Sequence, residues 1–403
     1  MMGDTLHILA QKRVENMLRS HTKKGWLTMA KMTNDQLKIL QALPLDIKIR
    51  KTEIRIREWY EHWGGDVYVS FSGGKDSTVL LDIVRRLYPD VPAVFSDTGL
   101  EYPEIKEFVK TFPNVTIVRP KHSFKEILTK YGYPIISKEV AECVHHAKKF
   151  ILQETGQWGG YPNSKTLLDT ISMSKLTVGG GDREYRKMCG LGEYTKPKER
   201  VANILELKDK QGNIRKVKEG EKSAYSCEKY QWLLNADFLI SSQCCYHMKK
   251  SPLHRFEKES NLKPIVATMA DEGRQRKMAW LRTGCNAFEG KIQSKPMSFW
   301  TEQDVLQYID IMGLEVAPVY GNLLYSNGKY HFDGCQRTGC IFCGFGCHLE
   351  HEPNRFQRLK ETHPKLYDYC MGGGEYNEDG VWQPNTKGLG MKHVMDFINV
   401  KVE

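Results

Sequence analysis

Val67-Tyr-Val-Ser-Phe-Ser-Gly-Gly-Lys-Asp-Ser77 is the stretch whose reading decides the fold of this chain. Val67 to Phe71 reads as a short buried strand. Thr78 to Tyr88 reads as a helix with Val79, Leu80, Ile83, Val84 and Leu87 on one face. Ser72 to Ser77 turns the chain between them. Gly73 and Gly74 permit positive φ and leave room for a bulky anion. The loop N–H groups and the positive end of the helix then face a phosphate. Lys75 adds a point charge, and Ser72 and Ser77 add hydroxyl donors. Asp76 is an acid inside an anion site, which suits a magnesium ion better than a bare phosphate.

A Walker loop needs four residues between its glycines and a final Lys-Ser/Thr, and this stretch has neither. Ser72-Gly73-Gly74-Lys75-Asp76-Ser77 instead resembles the PP-loop of ATP pyrophosphatases. The resemblance implies an ATP site that holds the β- and γ-phosphates and releases pyrophosphate while a substrate is adenylated. The alternative is an ordinary glycine turn between strand and helix.

The chain has 403 residues, enough for two or three domains. Its 40% hydrophobic and 27% charged content describes a soluble globular protein. No apolar run is long enough to span a membrane and no signal peptide is evident, so a cytoplasmic location with no membrane partner is expected. Eleven cysteines in that setting point to metal or redox chemistry rather than disulfides. A net charge of +10 favours anionic partners, nucleotides or nucleic acid.

Residues 1–65 read as a helical N-terminal extension: a short helix and arm, then a helical segment capped at Thr33 or Asn34 and broken at Pro44. Lys48, Arg50, Lys51, Arg55 and Arg57 make that segment basic, as a solvated helix face would be. From Asp66 strands and helices alternate. Val91 to Phe95 is a second strand, Pro103 to Phe112 a helix, Val115 to Val118 a third strand and Phe124 to Lys130 a helix. Residues 132–150 read as a helix able to close over the site. Phe238 to Ile240 and Ile265 to Met269 read as the fourth and fifth strands, and Thr301 caps a later helix with Asp304 as its box partner. The expectation is an α/β, doubly wound, mostly parallel sheet of about five strands. The α/β domain runs over 66–345 with an insertion at about 151–225, 346–403 forms a C-terminal helical segment, and the C-terminal region from 314 is Cys-rich, with short elements around a cysteine cluster. Ligands in such sheets sit off the carboxyl ends of the strands, which places Ser72–Ser77 and Asp97–Glu101 on one rim.

Cys244 and Cys245 lie side by side, and Cys340-Ile-Phe-Cys343 follows in a glycine-rich loop. An adjacent pair binds one zinc poorly but can reach two irons of a cubane, so Cys244, Cys245, Cys340 and Cys343 read as ligands of a 4Fe-4S cluster. Lys249 is placed to compensate cluster charge. Structural zinc on Cys335, Cys340, Cys343 and Cys347, with His348 and His351 nearby, is the alternative. Cys143, Cys285 and Cys370 read as core thiols, and Cys189 and Cys227 as plain buried ones.

Cys244-Cys245 followed by Lys249 and Pro252-Leu253 resembles the cluster segment of adenylylsulfate reductases. Arg337-Thr338-Gly339-Cys340-Ile-Phe-Cys343 resembles its second half. Asp97-Thr98-Gly99 with Pro103-Glu104, Ala270-Asp271-Glu272 with Arg276, and Phe299-Trp300-Thr301 through Ile309, Pro318 and Tyr320 resemble further segments of the same family. The chain is similar to the phosphoadenosine phosphosulfate reductase family, in its 4Fe-4S branch. The resemblance implies nucleotide contacts from Gly99, Glu272 and Arg276, and catalytic roles for Lys75, Asp76 and Asp97.

Three features depart from the reductases. Their Glu-Cys-Gly-x-His tail with its nucleophile is missing, since residues 371–403 hold no Cys. Their PP-loop is degenerate, whereas this one is complete. Met269 stands where the family often has an Arg. The pattern resembles the branch that installs sulfur in DNA backbones. It implies ATP and Mg²⁺ as cofactors beside the cluster, a nucleic-acid acceptor, and a sulfur donor such as a cysteine desulfurase. A sulfonucleotide reductase using Cys335, Cys347 or Cys370, and a non-enzymatic nucleotide or redox sensor, are the alternatives.

Overall fold

Two helices joined at Pro44 lead into the sheet. In α1 (Asn34–Gln41) the Thr33 hydroxyl accepts the Gln36 N–H at 3.1 Å and the Gln36 side chain accepts the Thr33 N–H at 2.8 Å, a closed capping box. Pro44 fixes the break before α2 (Leu45–His62). This computed structural model describes residues 32–155, 204 and 226–403. The expected N-terminal arm, nearly all of the insertion and Cys189 lie outside the described residues.

The strand-loop-helix reading of 67–88 holds, with β1 at Val67–Ser70 and α3 at Lys75–Leu87. There follow β2 (Ala93–Ser96), α4 (Pro103–Lys110), β3 (Val115–Val118), α5 (Phe124–Tyr131), β4 (Ile135–Ile136) and α6 (Lys138–Thr155). Beyond the insertion come α7 (Ser251–Ser260), β5 (Lys263–Val266), α8 (Arg274–Thr283), β6 (Asn286–Ala287), β7 (Gln293–Ser294) and α9 (Glu302–Met312). The hairpin β8 (Leu323–Ser326) and β9 (Lys329–Phe332), then β10 (Gly344–Phe345), α10 (Arg355–Thr362), α11 (Pro364–Met371) and α12 (Met391–Phe397), carry the chain toward its end.

The central sheet has six strands in the order β3-β2-β1-β5-β7-β6. All neighbours pair in parallel except β6, which runs antiparallel to β7. The strand expected at Phe238–Ile240 is not in this sheet. Phe238 and Ile240 make single bridges to Trp382 and Tyr133 instead. The end of the sheet beyond β5 goes to the two-residue strands β7 and β6, whose Asn286, Gln293 and Ser294 carry no apolar signal.

Alternation along β1 sends its side chains to two layers. Val67 and Val69 join α2, α3 and α9 in one core, while Tyr68 turns to α7, its ring 5.3 Å from Phe256. A second core gathers α5, α6 and β4 with residues of α10, α11 and α12. Cys143, Cys227, Cys347 and Cys370 are buried in it, and Tyr102 packs against both cores.

Lys48 is not on a solvated face. Its ammonium is buried, 2.7 Å from Asp304 Oδ2, and also donates to the Gln41 carbonyl at 2.7 Å. Asp304 Oδ2 in turn accepts from the Thr301 N–H at 2.6 Å and hydroxyl at 2.8 Å, so the α9 capping box and the ion pair share one carboxylate. Among the described residues no helix is long and apolar enough to cross a membrane.

Candidate functional site

The carboxyl ends of β1 and β2 open onto one rim, and the Ser72–Ser77 loop lies there. Gly73 has φ +70°, and a Cβ on it would come within 2.7 Å of Val109 and 2.8 Å of Ile105, so only glycine lets the loop lie this close to α4. The loop braces itself. Ser72 N–H donates to Ser77 Oγ at 3.1 Å, Gly74 N–H to Ser72 Oγ at 3.4 Å, and Ser77 Oγ to the Gly74 carbonyl at 2.9 Å.

Lys75 is buried at the first turn of α3, and both of its donors are engaged. Its backbone N–H donates to the Tyr320 hydroxyl at 3.0 Å. Its ammonium is 3.2 Å from Glu302 Oε1, 3.7 Å from Asp76 Oδ1 and 3.4 Å from the Gln336 carbonyl. Burial raises the Asp76 carboxyl above its usual range; Lys75 opposes the rise, and Glu302 adds to it. Asp76 Oδ1 is a buried oxygen with no hydrogen-bond partner. A buried carboxylate oxygen with no hydrogen bond and only a 3.7 Å ammonium contact, beside a second carboxylate, suits a hard cation, so Asp76 and Glu302 fit Mg²⁺.

The other expected nucleotide residues are spread along the rim. Asp97 is pinned by Lys106 at 2.7 Å and Arg119 at 3.2 Å. Burial would raise its carboxyl, but these two cations hold it below the usual range. Gly99, at φ +76°, donates its N–H to Asp97 Oδ1 at 3.3 Å. Glu272 accepts the Met269 N–H at 2.8 Å and pairs with Arg276. Arg276 lies within electrostatic reach of Asp76 and Arg337, so it faces the same loop. Met269 is buried in the sheet core.

The four expected cluster thiols converge from two segments. Cys244 and Cys245 follow Ser242, Cys340 and Cys343 flank Ile341, and the thiols interact with one another. A hydrogen bond from the Cys244 thiol lowers Cys245, with Lys138 and Lys249 adding to the effect against burial. Burial raises Cys343 and pushes Cys340 up to about 11. Lys249 is half-buried, and desolvation alone would lower it; the charges of Cys340 and Glu101 raise it on balance. Four thiols flanked by two ammonium groups suit an anionic thiolate-held cluster. Among the described residues no three His, Cys, Asp or Glu side chains are drawn together tightly enough for a single metal ion.

A small cavity lies between the start of the loop and the segment that precedes Cys340. It has a volume of about 110 Å³ and is lined by Ser72, Glu101, Ile105, Lys249, Thr338 and Gly339 among others. That is room for a phosphate-sized group rather than a whole nucleotide. Glu101 also accepts from the Thr98 hydroxyl at 2.7 Å, which fixes the turn after β2.

The remaining thiols divide by access. Cys370 and Cys347 are buried, and burial raises both. Cys335 is half-buried, its thiol donates to the Arg337 carbonyl at 3.0 Å, and it lies within electrostatic reach of Lys75 and Arg358. Cys143 is a core thiol as expected, whereas Cys285 is partly exposed and accepts from the Ser298 hydroxyl at 3.3 Å. Sequence reasoning missed Glu302 and the contact of Tyr320 with Lys75. No local pattern marks either one, because both reach the loop from more than two hundred positions away.

A family model described as the phosphoadenosine phosphosulfate reductase domain matches residues 66–150 and 192–344, more than half of the chain. An uncharacterized protein of Methanocaldococcus jannaschii is 35% identical over 96 residues, 22% of this chain and 23% of that one. Adenosine 5′-phosphosulfate reductase of Geobacillus kaustophilus is 27% identical over 111 residues, 26% of this chain and 47% of that one. Phosphoadenosine 5′-phosphosulfate reductase of Serratia proteamaculans is 32% identical over 120 residues, 28% of this chain and 45% of that one. The chain thus spans about a quarter to a half of the length of these curated relatives.

Proposed function

The chain belongs to the phosphoadenosine phosphosulfate reductase family, and on that premise we propose that it is an ATP-dependent sulfurtransferase whose nucleotide sits beside a 4Fe-4S cluster. One observation carries the reading. The cavity at the complete Ser72–Ser77 loop is walled by Lys249, whose ammonium lies within electrostatic reach of Cys340 and Cys245 of the four-thiol group. A phosphate group there and a cluster on Cys244, Cys245, Cys340 and Cys343 would be neighbours.

The proposed reaction balances in two steps. An acceptor oxygen attacks the α-phosphorus of ATP, the α–β phosphoanhydride bond breaks, and pyrophosphate leaves. Sulfide, or a persulfide with a thiol reductant, then attacks the adenylated acceptor, and AMP departs with the oxygen. The loop amides, with Lys75 turned toward the phosphates, stabilise charge on the leaving pyrophosphate. Asp76 and Glu302 would hold Mg²⁺, which supplies further charge neutralisation when bound. The cluster, when bound, would supply a site for the incoming sulfur. Arg276 and Arg337 add positive charge at the loop, which suits a polyanionic acceptor such as nucleic acid.

A second reading has its own support. The Geobacillus and Serratia relatives are named as sulfonucleotide reductases. Of Cys335, Cys347 and Cys370, the thiols that could serve as a nucleophile, Cys335 is the partly exposed one and lies within electrostatic reach of Lys75.

Calorimetric titration separates the two. Mg-ATP should bind the wild type, and Lys75→Ala should weaken it by roughly ten- to a hundredfold, the cost of one charge-assisted contact. A protein that binds adenylylsulfate and ignores ATP would be read as a reductase.

A further inference from the structure

Lys75 is fastened at both ends to the segment that leads into the cluster cysteines. At the backbone end, its N–H donates to Tyr320 Oη at 3.0 Å, and Tyr320 Oη lies 2.7 Å from Thr338 Oγ1. At the side-chain end, its ammonium reaches the Gln336 carbonyl at 3.4 Å. Tyr320 is buried, and burial pushes its phenol up to about 12, so the hydroxyl stays neutral and free to accept from an amide. Its own carbonyl accepts the Gly334 N–H at 2.9 Å, and Cys335 N–H donates to the neighbouring Val319 carbonyl at 2.9 Å. Tyr320 and residues 334–338 therefore form one braced unit over the loop. A Cβ on Gly74 would meet Thr338 Oγ1 at 3.2 Å and Tyr320 Oη at 3.3 Å, which shows how closely the unit covers the loop. Two residues past Thr338 the chain reaches Cys340.

The N–H and ammonium of Lys75 are also the donors that a phosphate at this loop would take. An amide hydrogen serves one strong acceptor well, so a phosphate oxygen and the Tyr320 hydroxyl compete for it. We propose that Tyr320 is a positioning residue that holds the Lys75 amide in reserve, and that a nucleotide phosphate displaces it, unfastening Thr338 and the segment leading to Cys340. Nucleotide occupancy would thereby be passed to the cluster-bearing loop. The inference rests on the reading of Ser72–Ser77 as a nucleotide site. It adds a route from that site to the cysteines.

A competitor model has an unusual sign. Tyr320→Phe removes the hydroxyl and should tighten Mg-ATP by roughly three- to tenfold, the worth of one net hydrogen bond. Ordinary structural damage would weaken binding. The test uses the full chain purified anaerobically, with calorimetry and amide hydrogen exchange. In the wild type, Mg-ATP should raise exchange at residues 335–340 rather than protect them. Thr338→Val should raise that exchange before ATP is added and leave little further rise afterwards. It also decides the matter alone if Tyr320→Phe does not fold. Unchanged or weaker ATP binding by Tyr320→Phe, or ATP-induced protection of 335–340 in the wild type, would overturn the proposal while leaving the nucleotide site standing. A wild type that binds neither ATP nor adenylylsulfate would remove the site itself and the inference with it.

Discussion

The Lys75 ammonium lies 3.2 Å from Glu302 Oε1, so the cation of the anion loop is partly spent on a carboxylate from α9. Glu302→Gln removes that competitor. Without magnesium the variant should bind ATP more tightly, by roughly two- to fivefold, the scale of a half-exposed ion pair. The gain in affinity on adding Mg²⁺ should shrink, because a proposed ligand of the ion is gone. Calorimetry with and without Mg²⁺ checks both. Weaker binding under both conditions would contradict this account of Glu302.

The buried pair Lys48–Asp304 sets a stability prediction. Lys48→Met strands a buried carboxylate and should cost about 3–5 kcal/mol in urea unfolding. Arg86→Ala breaks an exposed pair with Asp82 on α3 and should cost roughly 0–1 kcal/mol. Equal effects would refute the distinction.

Glu142 gives a pH prediction. A hydrogen bond from His146 holds its carboxyl down to about 2 against burial, with Ser242 helping. Between its ordinary 4.5 and about 2 the unfolded chain binds the extra proton. Stability from this group is therefore full above about pH 4.5 and is lost as pH falls toward 2. Glu142→Gln should flatten that part of the curve of urea midpoint against pH. An unchanged slope would remove Glu142 as its source.

For the metal, the expected result is brown protein under anaerobic purification with about four irons and acid-labile sulfide per chain. Cys→Ser at Cys244, Cys245, Cys340 or Cys343 should bleach it, while Cys335→Ser should not. Stoichiometric zinc without labile sulfide would contradict the cluster.

The parts of the fold that were legible were local. The β1–loop–α3 step shows its apolar period and its glycines within about twenty residues, and the Thr33 and Thr301 caps declare themselves within four. Phe238–Ile240 misled because an apolar triplet looks the same whether it joins a sheet or fills a core. β6 and β7 were invisible, being two residues each with Ala287 their one apolar side chain. Lys48 looked like one of a basic run because its partner Asp304 is 256 positions away. The same distance effect hid Glu302 and the Tyr320 contact, which exist only after α9 and its following turn fold back over the loop.

The central claim is that this site cuts ATP to activate an acceptor for sulfur. Its most direct test is product analysis of anaerobic, iron-replete protein in two parallel reactions. One holds Mg-ATP, sulfide, a thiol reductant and mixed nucleic acid. The other holds adenylylsulfate or its 3′-phosphorylated form with thioredoxin and reductant. The account predicts pyrophosphate in the first, lost in Lys75→Ala, and no sulfite in the second. Rapid sulfite release that disappears in Cys335→Ser, with no pyrophosphate from ATP, would contradict it.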